Sequence, residues 1–444
     1  MKPVLRIPAY RRLVAAYTLN ELAFMVSSVA LTLLIYGRTG SAFGATAFFL
    51  CSQFVPALLS PMLVARLDQL PPRPTLPALY WLETAIFIVL AALSGHRFML
   101  VPVLALTLLN GVIAFAARSL GRAATVTVTS AKGLLREGNA LANAGFSMAF
   151  LIGPGIGGAV VAAGGTSEAL LGIAVLFGVI GLTLATAHDL PQPSPARAPA
   201  RGRVRAAVAY VRERPTLRAL MLVQASGILF FTISVPVEVV FVRHSLGASP
   251  AAYGALVSAW GAGAMAGAAI YARYNRLPSR SLMALGAGSL GLGFLVMSAA
   301  PTLAVAIVGG ALAGVGNGVE SVAGRTAVQE LTETSWMALM MSLQESLFQS
   351  VPGAGILIGG TITALGSPRT ALAVAGVGSL AVTAAIWVVL RNLASGPVPA
   401  AEPATNGSDP AAVPVVTDPE MAPDGADLVG TRREEARTAA VRHQ

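Results

Sequence analysis

The chain has 444 residues, 55% of them hydrophobic and 11% charged, with a mean hydropathy of +0.71. Soluble domains carry roughly 25% charged residues, so this composition excludes a soluble fold. The net charge of +10 does not point to nucleic acid, because the basic residues fall in short gaps between apolar runs and build no basic face.

A membrane-spanning helix needs about 20 mostly apolar residues. Twelve such runs are read, at 13–36, 43–65, 75–94, 98–120, 138–163, 168–187, 217–242, 252–272, 281–299, 301–323, 337–364 and 368–390. None alternates between apolar and polar residues, which excludes a β-barrel. The first run is longer than a signal-peptide core and lacks a small-residue cleavage site. It carries Asn20 and Glu21 about 12 Å in from Leu13. An ionisable residue inside a span is a functional candidate by default, and a protonatable carboxylate fits that depth. The second run holds Cys51, the single cysteine, which has no partner for a disulfide or a metal site. The third holds Glu83.

Arg118 and Arg122 stand at the predicted end of the fourth run, and Asn143 lies in the fifth. The fifth also holds Gly153, Pro154, Gly157 and Gly158. The proline removes a backbone donor and bends the helix, and the glycines admit a neighbouring helix. Residues 188–216 follow, with four prolines and then a run of arginines, and read as a basic linker on the inner membrane surface. In the seventh run Glu238 and Arg243 form a candidate gate pair near the outer end. Gly263 with Gly267, and Gly314 with Gly318, have a spacing that permits close helix crossing. Glu320 is expected to pair with Arg325 as a structural contact. Glu345 lies in the eleventh run at a depth like that of Glu21. Asn317, Gln224 and Gln344 add uncharged polar points. Residues 394–444, rich in Pro, Ala, Asp and Glu, cannot bury a core and are expected to be disordered.

Lysine and arginine set orientation. With the N-terminus inside, inner segments hold 22 of them and outer loops only Arg38, Arg97, Arg243 and Arg369, the tail excluded. Both termini are therefore expected in the cytoplasm. Arginine outnumbers lysine 28 to 2, which with abundant Ala and Gly suggests a GC-rich bacterial genome.

The two halves repeat. Residues 65–73 align with 272–280, Gly121-Arg122 with Gly324-Arg325 at an offset of 203, and Gly157-Gly158 with Gly359-Gly360 at an offset of 202. Six helices per copy is an even number, so the copies run parallel, about an axis along the membrane normal. The expected fold is thus all-α and membrane-integral, with twelve helices in two parallel six-helix repeats. The expected units are 1–187, a linker at 188–216, 217–393, and a tail at 394–444.

Over residues 10–392 the chain resembles the major facilitator superfamily, and most of all its twelve-helix bacterial drug and siderophore exporters. Gly153-Pro154-Gly155-Ile156-Gly157-Gly158 matches the Gly-Pro-x-x-Gly-Gly antiporter motif of those exporters. The loop after the second run keeps Asp68 and Arg73 of the family's gating motif, but Val64 replaces its first glycine and Gln69 its first arginine. The resemblance implies that Asp68 latches the halves, pairing with Arg118 or Arg122. It also implies that Glu21 couples a proton or a cationic substrate, since the first helix lines the family's cavity. Thr107 stands where proton-relay exporters have an arginine. The implied function is export of an amphipathic drug, siderophore or natural product by alternating access, as proton antiport, in a monomer. It needs no cofactor beyond the proton gradient, and its partners are the small-molecule substrate and the bilayer. An importer or facilitator of the same fold is the alternative. An enzyme is not expected, since no acidic pair at helical spacing, intramembrane histidine or serine–histidine set is present. All four histidines fall in loops or the tail, so no metal site is read.

Overall fold

The computed structural model describes residues 4–59, 63, 72–95, 98–187, 209–274, 276–332 and 336–390. Eleven spans are α1 (Pro8–Thr39), α2 (Ala42–Leu59), α3 (Arg73–Gly95), α4 (Leu100–Ser130), α5 (Glu137–Ala163), α6 (Thr166–Ala185), α7 (Pro215–Ser245), α8 (Pro250–Tyr274), α9 (Ser279–Ala299), α10 (Leu303–Glu330) and α12 (Pro368–Val389). Met337–Ser350 and Pro352–Leu365 together make α11. Twelve helices are long and apolar enough to cross a membrane, and there is no strand among the described residues. Side chains such as Val101, Val175, Leu222 and Val388 lie exposed around the bundle. That apolar belt is what a lipid-facing wall requires, because the helices satisfy their own backbone polar groups.

Odd-numbered helices run from the face that carries the N-terminus, here the near face, to the far face, and even-numbered helices return. α4 and α10, which correspond in the repeat, run well past their expected ends at 120 and 323. At 31 residues α4 measures about 46 Å, against about 30 Å of hydrocarbon. Arg118 therefore lies three turns short of its end.

Glycine sets the packing. Gly263 and Gly267 of α8 lie against the backbone of α10 at Ala311 and Val315, and Gly314 and Gly318 of α10 lie against Trp260 and Ala264 of α8. No side chain separates the two helices there, which explains the small-residue spacing. On the far face Arg38 donates to Ser94 O at 2.8 Å, and Arg369 donates to Ser298 O and Ala300 O at 2.7 Å each. Each arginine thus neutralises the carbonyl end of a helix, α3 or α9, where a cation is favoured.

The halves are joined toward the far face. The far-end core of the second half, around Ile233, Val237, Tyr253 and Phe294, takes in Val29, Leu33 and Ala45 of the first half. The near-end core of the second half is built from residues between Tyr210 and Leu390 alone. The linker end docks there, with the Tyr210 ring stacked on Trp336 at 4.5 Å and the Arg214 guanidinium 3.6 Å from the Tyr210 centroid.

Candidate functional site

A cavity of about 360 Å³ lies between the halves, walled by α1, α2, α4, α5, α7, α8 and α11. Three of those helices are interrupted at its level. α2 has a π-turn over Leu50–Phe54, α7 breaks at Val235–Pro236, and α11 breaks at Val351–Pro352. Pro56, Pro236 and Pro352 supply the cause, since each lacks the donor a continuous helix needs. Gln53, Phe54, Val235 and Pro352 all face the cavity. α5, where the sequence placed the hinge, stays continuous through Pro154.

The lining is aromatic. The Trp260 ring lies 5.1 Å from Phe150 of α5 and 5.6 Å from Phe231 of α7, so one stack crosses from half to half. Phe24, Phe115 and Tyr253 extend the wall, and among the described residues Glu238 is the carboxylate in it. Glu238 accepts from Ser234 Oγ at 3.3 Å. The expected Glu238–Arg243 gate pair is not formed. Past the break in α7 the Arg243 side chain is exposed and donates to Ala248 O of the α7–α8 turn, leaving Glu238 to the cavity.

Glu21 does not line the cavity. It sits one turn of α1 nearer the near face and is 1% exposed, with Oε1 3.0 Å from Arg118 Nε. The approach is an ion pair without hydrogen-bond alignment, since neither Glu21 oxygen nor Arg118 Nε has a hydrogen-bond partner. The Arg118 guanidinium lies 5.0 Å from the Phe24 centroid and 5.8 Å from that of Phe115. Both rings belong to the cavity wall, so the pair lies directly behind it. Arg118 is also the cation acting on Glu83, which is fully buried with both oxygens unpartnered. Two buried carboxylates therefore lie in the field of one guanidinium, and Glu21 is the one in contact with it. At the repeat offset of 203 the counterparts of Glu21 and Arg118 are Gln224 and Ser321. Gln224 donates to Gly324 O at 2.9 Å and accepts from Gln344 at 2.7 Å. One half holds a charged pair where the other holds neutral amides.

The Gly-Pro segment divides its residues between two neighbours. Gly153 and Gly157 pack on Met25 and Val26 of α1, in the same half. Gly155 N donates to Ser258 Oγ of α8 at 2.9 Å, across the halves. A Cβ on Gly158 would stand 3.0 Å from Gly254 Cα, and one on Gly254 would meet Pro154 O. In the second copy Gly355 and Gly359 pack on α7 at Thr232 and Ile233, while Gly360 packs on Thr46 of α2. The repeat register thus preserves the same two contacts, one within a half and one across.

Other expected residues fall elsewhere. Asn20 is buried beside Glu21, and Asn143 is exposed. Arg73 is exposed; Arg122 is exposed with its guanidinium 6.0 Å from the Tyr17 centroid. Asp68 and the Glu345 side chain lie outside the described residues, so the latch is not among the contacts seen. Glu320 does not pair with Arg325; it extends toward Gly227 of α7, and Arg325 is exposed. Among the described residues no group of three or more His, Cys, Asp or Glu could hold a metal ion.

The family model described as Major Facilitator Superfamily matches residues 220–432. No curated protein matches the sequence. Among solved structures, the nucleoside transporter NupG is similar at a TM-score of 0.68 and 12% identity, over 87% of this chain and 100% of that one. The POT family transporter PepTSo is similar at 0.65 and 11% identity, over 87% and 98%. A bacterial homologue of the lysosomal transporter Spinster, inward-facing and unoccupied, is similar at 0.61 and 12% identity, over 87% and 96%. At such identities the likeness is one of fold, and the fold is the major facilitator fold.

Proposed function

We propose that this chain is a secondary transporter that exports an amphipathic small molecule by alternating access, in exchange for protons. The observation that carries the reading is the cavity between the halves, with the cross-half contacts of the described residues gathered on one side of it. A central site approached from alternate faces is how two parallel repeats move a solute. The near face is read as cytoplasmic, with both termini there, in the cytoplasmic membrane of a bacterium, and the protein is read as a working monomer.

The Glu21–Arg118 pair is the coupling element in this reading. A proton on Glu21 dissolves the ion pair and frees the guanidinium, whose contacts are Phe24 and Phe115 of the cavity wall. A local charge change then becomes a change in the shape of the site, the general form of such switches. The neutral Gln224 network supports placing coupling in the first half.

Inverted vesicles containing the protein test this with a panel of cationic, neutral and anionic fluorescent amphipaths. Accumulation of at least one class, about tenfold above empty vesicles and abolished by a protonophore, is expected, a ratio equal to about 1.4 kcal/mol of the gradient. No accumulation of any class rejects transport, and accumulation that survives the protonophore rejects proton coupling. Net uptake in right-side-out vesicles reverses the direction.

Pro154 gives a second result. Alanine there restores the missing donor to Phe150 O and stiffens α5 at that turn. The Gly155–Ser258 bond, worth about 1 kcal/mol, then loses its geometry. Pro154→Ala is expected to leave expression and thermal stability intact and to slow transport about fivefold. An unchanged rate at equal expression removes the hinge role.

A further inference from the structure

We infer that the cavity binds a bulky, aromatic-faced monovalent cation, with Glu238 as its counter-ion and the Phe150–Trp260–Phe231 stack as its seat. The inference rests on the transport reading for its role but on the cavity alone for its chemistry. Among the described residues the wall holds nine aromatic side chains and one carboxylate, with no lysine, arginine or histidine. Around Glu238, α7 offers the Ser234 hydroxyl and α8 offers Tyr253, and among the described residues no cation is paired with it. A carboxylate set in an apolar enclosure stays ionised only beside a compensating charge. Among the described residues the wall supplies none, so a cationic ligand is what would hold Glu238 in its charged form.

The aromatic faces select the same sign. A ring presents negative potential to what lies over it, and a cation is attracted within about 6 Å of the centroid. The three rings of the stack come from α5, α7 and α8, so a flat or multi-ring ligand touches both halves at once. An anion meets ring faces and a carboxylate, both repulsive. A dication leaves one charge uncompensated by the described residues, among which the lining holds one carboxylate. The volume of about 360 Å³ falls in the range that holds a drug-sized molecule. The chemical class is therefore a lipophilic monocation of quaternary ammonium, phosphonium or protonated aryl-amine type.

Tetraphenylphosphonium and tetraphenylborate share shape and size and differ in the sign of the charge. Binding of each to the full-length protein in nanodiscs is measured by equilibrium dialysis, with empty nanodiscs subtracted. Saturable phosphonium binding is expected, about a hundredfold tighter than borate. Glu238→Gln keeps the carboxylate's shape and is expected to weaken phosphonium at least about tenfold, as for loss of the opposite charge in a poorly solvated site. Trp260→Leu is expected to weaken phosphonium about fivefold without weakening borate, because the face it removes attracts a cation and repels an anion. Circular dichroism and gel filtration confirm that each variant is folded.

Equal binding of the two ions, tighter borate, no binding of either, or a Glu238→Gln variant with unchanged phosphonium affinity overturns the inference. The vesicle panel separates this failure from that of transport. Neutral or anionic amphipaths accumulated without phosphonium binding leave transport standing and remove the cation. Phosphonium bound with nothing accumulated does the reverse.

Discussion

Glu21→Ala is expected to destabilise the protein by about 3 kcal/mol, whereas Glu21→Leu combined with Arg118→Met is expected to regain most of that loss. The asymmetry follows from burial. Glu21 is 1% exposed and the Arg118 side chain 21%, so the single variant strands a guanidinium in a largely apolar half. Removing both charges leaves an apolar contact of similar volume, which is often neutral or stabilising. The partial exposure of Arg118 keeps the expected figure at the low end for a buried pair. Glu83 cushions the loss, because the same guanidinium acts on it. Glu83→Gln is therefore expected to deepen the effect of Glu21→Ala beyond the sum of the two. Urea unfolding of the four variants in one detergent checks the cycle, and a loss under about 1 kcal/mol for Glu21→Ala contradicts a buried pair. The same variants separate scaffold from coupling. The double variant is expected to fold normally yet accumulate substrate at least about tenfold more slowly, since it can no longer trade a proton for an ion pair. Wild-type transport by that variant reduces the pair to scaffolding.

Spans, repeat and register are legible in the sequence because each rests on a one-dimensional signal. Apolar runs report the membrane, and the paired Gly157-Gly158 and Gly359-Gly360 report backbones that must meet. Which carboxylate faces the cavity rests on no such signal. α1 is apolar on most sides, so its pattern assigns no cavity face to Glu21. Arg118 was expected near a span end because charge usually marks one. Its partner Glu21 lets it lie deep in α4, and a partner 97 residues away leaves no trace in local spacing. Glu238 was drawn to Arg243 by proximity along the chain, but Arg243 stands in the π-turn over Phe241–Ser245 and donates to the Ala248 carbonyl instead. The aromatic seat went unread for a similar reason. Phe150, Phe231 and Trp260 are ordinary apolar residues in three separate spans, and only folding stacks them.

Those breaks bear on how the halves move. α5 and α8 touch backbone to backbone through Gly158 and Gly254, while α2, α7 and α11 are interrupted where they line the cavity. The rigid contact and the interrupted helices fit a rocking joint, with the glycine crossing as its pivot on the far face. Gly254→Val is expected to hold the far face apart. Even a Cβ at Gly254 would collide with Pro154 O and stand 3.0 Å from Gly158 Cα. Neither neighbour is a side chain that can turn away, so the helices must separate. Overpacking of this kind costs about 1–3 kcal/mol, which moves a two-state balance by about fivefold to 150-fold against the far-closed arrangement. Gly172 of α6, where a Cβ meets nothing within 4 Å, is the control, and Gly172→Val is expected to behave as wild type. Spin labels on Ser41→Cys and Ser245→Cys, in a Cys51→Ala background, span the far face between the halves. The distance is expected to lengthen in Gly254→Val, remain unchanged in Gly172→Val, and be accompanied by about a tenfold slower transport in the first alone. Labels at the same distance in all three proteins place the pivot elsewhere, because a Cβ at a pivot between two backbones must move them apart.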